Sequence, residues 1–132
     1  MKLKVITHEK VLLDIDNVQE IYSVGPDGSF GVLKDHIPFI TPLEIGVTKF
    51  VTDKDCEFIT TMGGIFEFSD NVATILTDVA EFAKDIDVTR AKAAKERAEA
   101  RLKAQEENLD IIRAQVALTK AIARISATEK KF

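Results

Sequence analysis

Lys84-Asp85-Ile86-Asp87-Val88-Thr89-Arg90-Ala91 is the stretch where β-like alternation stops and a helical pattern rich in lysine, alanine and glutamate begins. The charge changes sign across it. Residues 1–85 hold seven Lys/Arg and fifteen Asp/Glu, a net of −8, whereas residues 86–132 hold eleven and seven, a net of +4. Two units suited to different surroundings therefore meet here. Local chemistry accounts for the helix start: Asp87 can cap it by accepting first-turn N–H groups, and Ile86 can staple onto Ala91. Arg90 can lean back on Asp87, so capping and pairing are one reading of both residues.

At 132 residues and 45% hydrophobic, the chain suits one compact domain or a small domain with an appendage. Net charge −4 and a pI near 5.2 exclude a general nucleic-acid surface, which needs excess Lys and Arg to neutralise phosphates. Cys56 has no mate for a disulfide, which fits a reducing compartment. Met1 to Thr7 lacks the apolar core of a secretion signal, and no run reaches the ~18 apolar residues that span a bilayer. The expectation is a cytosolic, soluble chain that inserts in no bilayer but can dock on a membrane complex.

Upstream of the border, short β-rich runs alternate with turn residues. Val18–Val24, Val47–Thr52, Glu57–Thr60, Ile65–Phe68 and Val72–Leu76 read as strands. Gly25-Pro26-Asp27-Gly28, Thr52-Asp53-Lys54-Asp55, Met62-Gly63-Gly64 and Ser69-Asp70-Asn71 read as the turns between them. With no helical pattern among them, the spacing predicts antiparallel strands in a β-sandwich or flattened barrel. Residues 25–46 hold four of the six glycines and all three prolines, so Ile37 to Leu43 is not expected to be a central strand. Its apolar residues either form a docking surface at one end of the sandwich, or fold back into the core as Phe39, Ile40 and Leu43.

Two other motifs carry little. His36 has only His8 for company, with no metal-ligand spacing around it. Gly25-x-x-Gly28-x-x-Gly31 lacks the Lys-Ser/Thr of a phosphate loop, and no helix follows it.

Downstream, eleven alanines fall between Ile86 and Phe132. A first helix is expected from Val88 to about Gln105, with a stripe of Ala91, Ala94, Ala98, Leu102 and Gln105. Glu106-Glu107-Asn108 breaks the pattern. Asp110 then caps a second helix to Thr128, whose stripe is Ile111, Ala114, Leu118, Ala121, Ile122 and Ile125. Small residues facing Leu and Ile predict an antiparallel two-helix hairpin. Its thin core makes it only marginally stable alone, hence able to open. Arg97, Arg101, Arg113, Lys120, Arg124, Lys130 and Lys131 are expected on its outer faces. The fold class is therefore α+β, with an N-terminal antiparallel β-sandwich (1–85) and a C-terminal antiparallel hairpin (86–132).

The run Gly28-x-x-Gly31-Val32-Leu33-x-x-His36-x-Pro38-x-x-Thr41-Pro42-Leu43, the Gly63-Gly64 pair before a strand, the Ile86-Asp87-x-x-Arg90-Ala91 motif and the Ala-rich hairpin together resemble the epsilon subunits of bacterial F-type ATP synthases. The likeness covers the whole chain. It implies a non-catalytic rotor subunit, peripheral on the cytoplasmic face of the bacterial cell membrane, in a proton- or ion-translocating complex. It also implies a sandwich that binds the gamma subunit and stands on the c-ring, and a hairpin that extends toward the alpha and beta subunits to inhibit ATP hydrolysis. Ser29, His36, Ile37, Pro38, Phe39 and Ile40 are then the docking residues.

The same likeness implies ATP as a regulatory ligand of the folded-down hairpin, held by Glu81, Ile86, Asp87, Arg90, Ala91, Arg97, Lys120 and Arg124. Arg97 and Arg124 would converge on phosphates, and Asp87 and Glu81 would accept from the adenine amino group or a ribose hydroxyl. No ligand set visible in the sequence requires magnesium. Two departures stand out. The family usually has Gly-His-Ala-Pro-Leu where this chain reads Asp35-His36-Ile37-Pro38-Phe39, and Lys120 replaces an arginine of some ATP-binding relatives, which implies lower affinity.

Two alternatives stay open. One is a purely structural coupling subunit that binds no nucleotide. The other is a free-standing nucleotide-hydrolysing enzyme, against which stands the lack of a P-loop lysine or a carboxylate–histidine cluster.

Overall fold

Strands come first in the chain: β1 (Lys2–Ile6), β2 (Val11–Ile15), β3 (Val18–Gly25), β4 (Gly28–Leu33), β5 (Phe39–Thr52), β6 (Cys56–Ser69), β7 (Val72–Leu76) and β8 (Ala80–Phe82). A 3-10 turn at Ala83–Asp85 leads into α1 (Val88–Ala104) and then α2 (Ile111–Thr128). This is a computed structural model, and it describes residues 1–104 and 110–131. The expected helix break at Glu106-Glu107-Asn108 and the stripe position Gln105 lie outside the described residues.

The sheet order is β2-β1-β7-β6-β5-β3-β4, with β8 added to β6. Neighbours run antiparallel except β1 and β7, which pair in parallel from Lys2↔Val72 to Ile6↔Leu76. A parallel pair needs a long connection, and here the intervening strands supply it. β5 and β6 pair along nearly their whole length, from Phe39↔Phe68 to Val51↔Cys56. One half of that ribbon continues into β7, β1 and β2; the other continues into β3, β4 and β8. Both halves feed one core: Leu3, Val5, Phe66, Phe68 and Ile75 from the first, and Val18, Ile21, Val32, Phe50 and Ile59 from the second. The result is a β-sandwich whose two layers share β5 and β6.

Met62-Gly63-Gly64 is not the turn its glycines suggest. β6 runs through it, with φ of 81° and 119° at Gly63 and Gly64. A Cβ at Gly64 would collide with the Leu76 carbonyl oxygen, so glycine is needed for the close approach of β7. Pro42 sits within β5, where that strand is laddered only to β6, and its missing N–H disrupts no second ladder. Residues 39–43 are thus an edge segment rather than a central one.

α2 lies against β5 and β6, and α1 packs on α2. At the foot of α2 the fully buried Ala127 meets Val47 and Phe58, with Ala83 and Ile86 packed around them. Ala91 and Ala98 of α1, with Ala114 and Ala121 of α2, are buried as expected. Ile111 and Ile122 are not: they are 55% and 44% exposed. Alanine on the inner faces brings the helix axes close, and the larger isoleucines are left outside the seam.

Candidate functional site

The border stretch opens α1 as its chemistry predicts. Asp87 Oδ1 accepts the Arg90 backbone N–H at 3.1 Å, and the Asp87 carbonyl accepts that of Ala91 at 3.0 Å. The tie between Asp87 and Arg90 is therefore a backbone cap; no ion pair joins their side chains among the described residues. The Arg90 guanidinium is left for other work. Asp110 caps α2 in the same way, accepting from the Arg113 N–H at 3.0 Å.

Between this helix start and the sandwich is a cavity of about 460 Å³, within the usual range for small-molecule sites. β8 contributes Glu81, the 3-10 turn Asp85, the linker Ile86 and Asp87, α1 Arg90, Ala91, Ala94 and Arg97, and α2 Arg124. Seven of the eight residues expected to hold a nucleotide line this one space. Lys120, one turn before Arg124, does not. Asp85 and Ala94 were not anticipated, although Ala94 could have been found from Ala91 by helical periodicity.

Arg124 is not on an outer face: its Nε donates to Glu81 Oε1 at 2.7 Å, the two side chains being 30% and 34% exposed. Glu81, which the resemblance gave as an acceptor for ligand, is thus already engaged by α2. A guanidinium has five N–H donors, so Arg124 can hold Glu81 and still present others to an anion. Three arginines face three carboxylates in the cavity, and Arg90 and Arg97 make no ion pair among the described residues. The N-terminal end of α1 adds its partial positive charge on the same side. An oxyanion suits that end, and the small apolar wall of Ala91 and Ala94 suits a flat ring. No group of three or more His, Cys, Asp or Glu among the described residues is placed to hold a metal ion.

The residues expected to dock are split. Ser29, His36, Ile37, Pro38 and Ile40 are exposed, Ile37 at 74% and Ile40 at 67%. Phe39 is half-buried, packed against the rings of Phe30 and Phe66 at 5.8 and 5.6 Å, and Leu43 joins the core. The His36 ring lies against Phe39 at 4.9 Å and Phe68 at 5.9 Å. No helix among the described residues is long and apolar enough to cross a membrane.

Comparison with known proteins gives this arrangement its relatives. Residues 1–83 match the beta-sandwich domain of the ATP synthase delta/epsilon chain, and residues 84–129 match its long alpha-helix domain. The chain is 41% identical to the ATP synthase epsilon chain of Symbiobacterium thermophilum over 83% of its own length and 78% of that protein's. It is 42% identical to that of Anoxybacillus flavithermus over 80% and 78%. A chain in the Euglena gracilis mitochondrial ATP synthase shares the fold at a TM-score of 0.84 and 23% identity, with 96% of this chain and 79% of that one covered. One in the Tetrahymena thermophila mitochondrial ATP synthase does so at 0.59 and 16%, with 98% and 94% covered. The chain belongs to the ATP synthase delta/epsilon chain family, as a non-catalytic subunit of epsilon type.

Proposed function

We propose that the chain couples the gamma subunit to the c-ring of a proton- or ion-translocating F-type ATP synthase and regulates that enzyme through ATP held beneath its hairpin. The sandwich, residues 1–85, binds the gamma stalk and stands on the c-ring through Ile37 of the β4–β5 loop and Ile40 at the start of β5. The hairpin, residues 86–132, is compact when its cavity holds ATP. When the cavity empties, it extends toward the alpha and beta subunits and inhibits ATP hydrolysis. The complex places the chain peripherally on the cytoplasmic face of the bacterial cell membrane. The solved assemblies that contain its structural relatives are described as F1 with a c-ring and as a central stalk with a c-ring, which supports the coupling half of this reading.

One observation carries the regulatory half. The cavity takes its walls from β8, the linker and both helices, so opening the hairpin disperses it. A ligand that binds only the compact conformer stabilises it by RT ln(1 + [L]/Kd), about 2.7 kcal/mol at a hundredfold excess over Kd. That is enough to reverse a marginal balance.

Isothermal titration of the chain with ATP tests this beside Asp87→Ala/Arg90→Ala. The parent is expected to show saturable binding and the variant none. Asp87→Asn, which keeps a capping side chain, separates loss of the cap from loss of ligand contact. The Glu81–Arg124 bond favours a second reading, because it ties α2 to β8 through protein groups alone. A parent that binds nothing up to millimolar ATP would establish that reading and leave a purely structural coupler.

A further inference from the structure

Asp35 has φ +65° and Asn71 has φ +59°, left-handed conformations that only short polar side chains and glycine adopt readily. The two residues face each other across the end of the sandwich and exchange two hydrogen bonds. The Asp35 backbone N–H donates to Asn71 Oδ1 at 2.7 Å, and Asn71 Nδ2 donates to Asp35 Oδ1 at 2.9 Å. Asn71 is itself anchored, since its carbonyl accepts the Lys2 N–H at 2.9 Å and so ties the β6–β7 turn to the start of β1. One residue on, the His36 N–H returns to the Leu33 carbonyl at 3.2 Å, and the His36 ring rests on Phe39 and Phe68. The segment between β4 and β5, outside any strand ladder, is thus pinned on two sides, with Ile37 and Ile40 exposed beside it.

We infer that Asp35 and Asn71 form a positioning clamp that sets the docking loop in its bound conformation before it reaches the c-ring. The inference rests on the docking reading above. Apolar side chains on an unpinned loop would have to be ordered during docking, and that entropic cost would fall on the association step. With the clamp in place, the ordering is completed when the sandwich folds. Asp35 is exposed and Asn71 half-buried, and both hydrogen bonds are open to water, so the clamp contributes little to the stability of the sandwich itself and shows its effect in docking.

The test is association of the full chain with a detergent-solubilised gamma–c-ring subcomplex from the same organism. Asn71→Asp sets a carboxylate against that of Asp35 and removes the side-chain donor. Adding Asp35→Asn restores the side-chain hydrogen bond with donor and acceptor exchanged, leaves the backbone N–H of residue 35 donating to residue 71 as before, and returns the parental net charge. The single variant is expected to associate about five- to tenfold more slowly, and the double variant within about twofold of the parent, with unchanged thermal midpoints. Asn71→Gly keeps the left-handed backbone without a side chain or charge, and should be as slow as Asn71→Asp. Ile37→Asp checks the reading beneath: it should abolish docking. If Ile37→Asp abolishes docking while Asn71→Asp and Asn71→Gly associate at the parental rate, the clamp is refuted and the docking surface stands. A double variant as slow as the single one would also refute the clamp. If Ile37→Asp docks like the parent, the docking surface is wrong and the clamp loses its role with it.

Discussion

Ala127→Asp is expected to lift the hairpin off the sandwich and weaken ATP binding while the sandwich stays folded. Ala127 is fully buried against Val47 and Phe58, under Ala83 and Ile86. A carboxylate there has no partner in that apolar cluster, although Ala127 also borders a pocket lined by Lys84 and Lys130. Burying it costs about 3 kcal/mol or more. The sandwich need not bear that cost, because position 127 reaches water as soon as the hairpin opens. The compact-to-extended ratio should therefore fall by about a hundredfold or more, and apparent ATP affinity should fall in proportion to the fraction that stays compact. Energy transfer between dyes at exposed positions 27 and 117, in a Cys56→Ser background, reads the opening directly. Ala100→Asp, on the exposed side of α1, is the control and should leave the transfer unchanged. Parental transfer in Ala127→Asp would mean that the contact with Val47 and Phe58 is not what holds the hairpin down.

That contact also shows what could and could not be read in the sequence. Asp87 and Asp110 were legible as caps because an N-cap is decided within four residues. The two-helix hairpin was legible because alanine-rich periodic runs have few other uses. The inner face of α2 was misjudged at Ile111 and Ile122: hydrophobicity marks the large residues, but a close helix pair is made by the small ones. At Gly63-Gly64, local chemistry permits a turn or a bend, and the choice lies with β5, whose register with β6 continues on both sides. β1, β2, β4 and β8 were not picked out. The parallel pairing of β1 with β7 joins positions 70 residues apart, beyond any local pattern. In the cavity, the spacing of Asp87 and Arg90 on one helix turn announced only a cap, and their place beside a ligand came from the family resemblance. The bond between Glu81 and Arg124 spans 43 residues, and no periodicity encodes it.

Arg124→Ala is expected to weaken ATP binding by about two orders of magnitude, and Glu81→Gln to leave it within about threefold of the parent. Arg124 acts at one position in two ways. Its Nε–H holds Glu81 at 2.7 Å, and its remaining N–H groups are available to the cavity that Arg90 and Arg97 also line. The bridge is about one-third exposed at both ends, so water screens it and its contribution to the compact state is about 0.5–1 kcal/mol. A guanidinium that pairs with phosphate contributes more, about 2–3 kcal/mol when removed, because the bond is charge-assisted. Alanine loses both contributions. Glutamine loses only the charge of the bridge; it keeps an oxygen for Arg124, and it takes one negative charge out of a cavity proposed to receive a polyanion. Those two effects of Glu81→Gln oppose each other, which is why its net change is small. Arg124→Lys should fall between, since an ammonium keeps the charge without the planar fork. Titration of the four proteins with ATP gives the order directly. Were Glu81→Gln as damaging as Arg124→Ala, the carboxylate would be the group that meets the nucleotide, and Arg124 would serve chiefly to aim it.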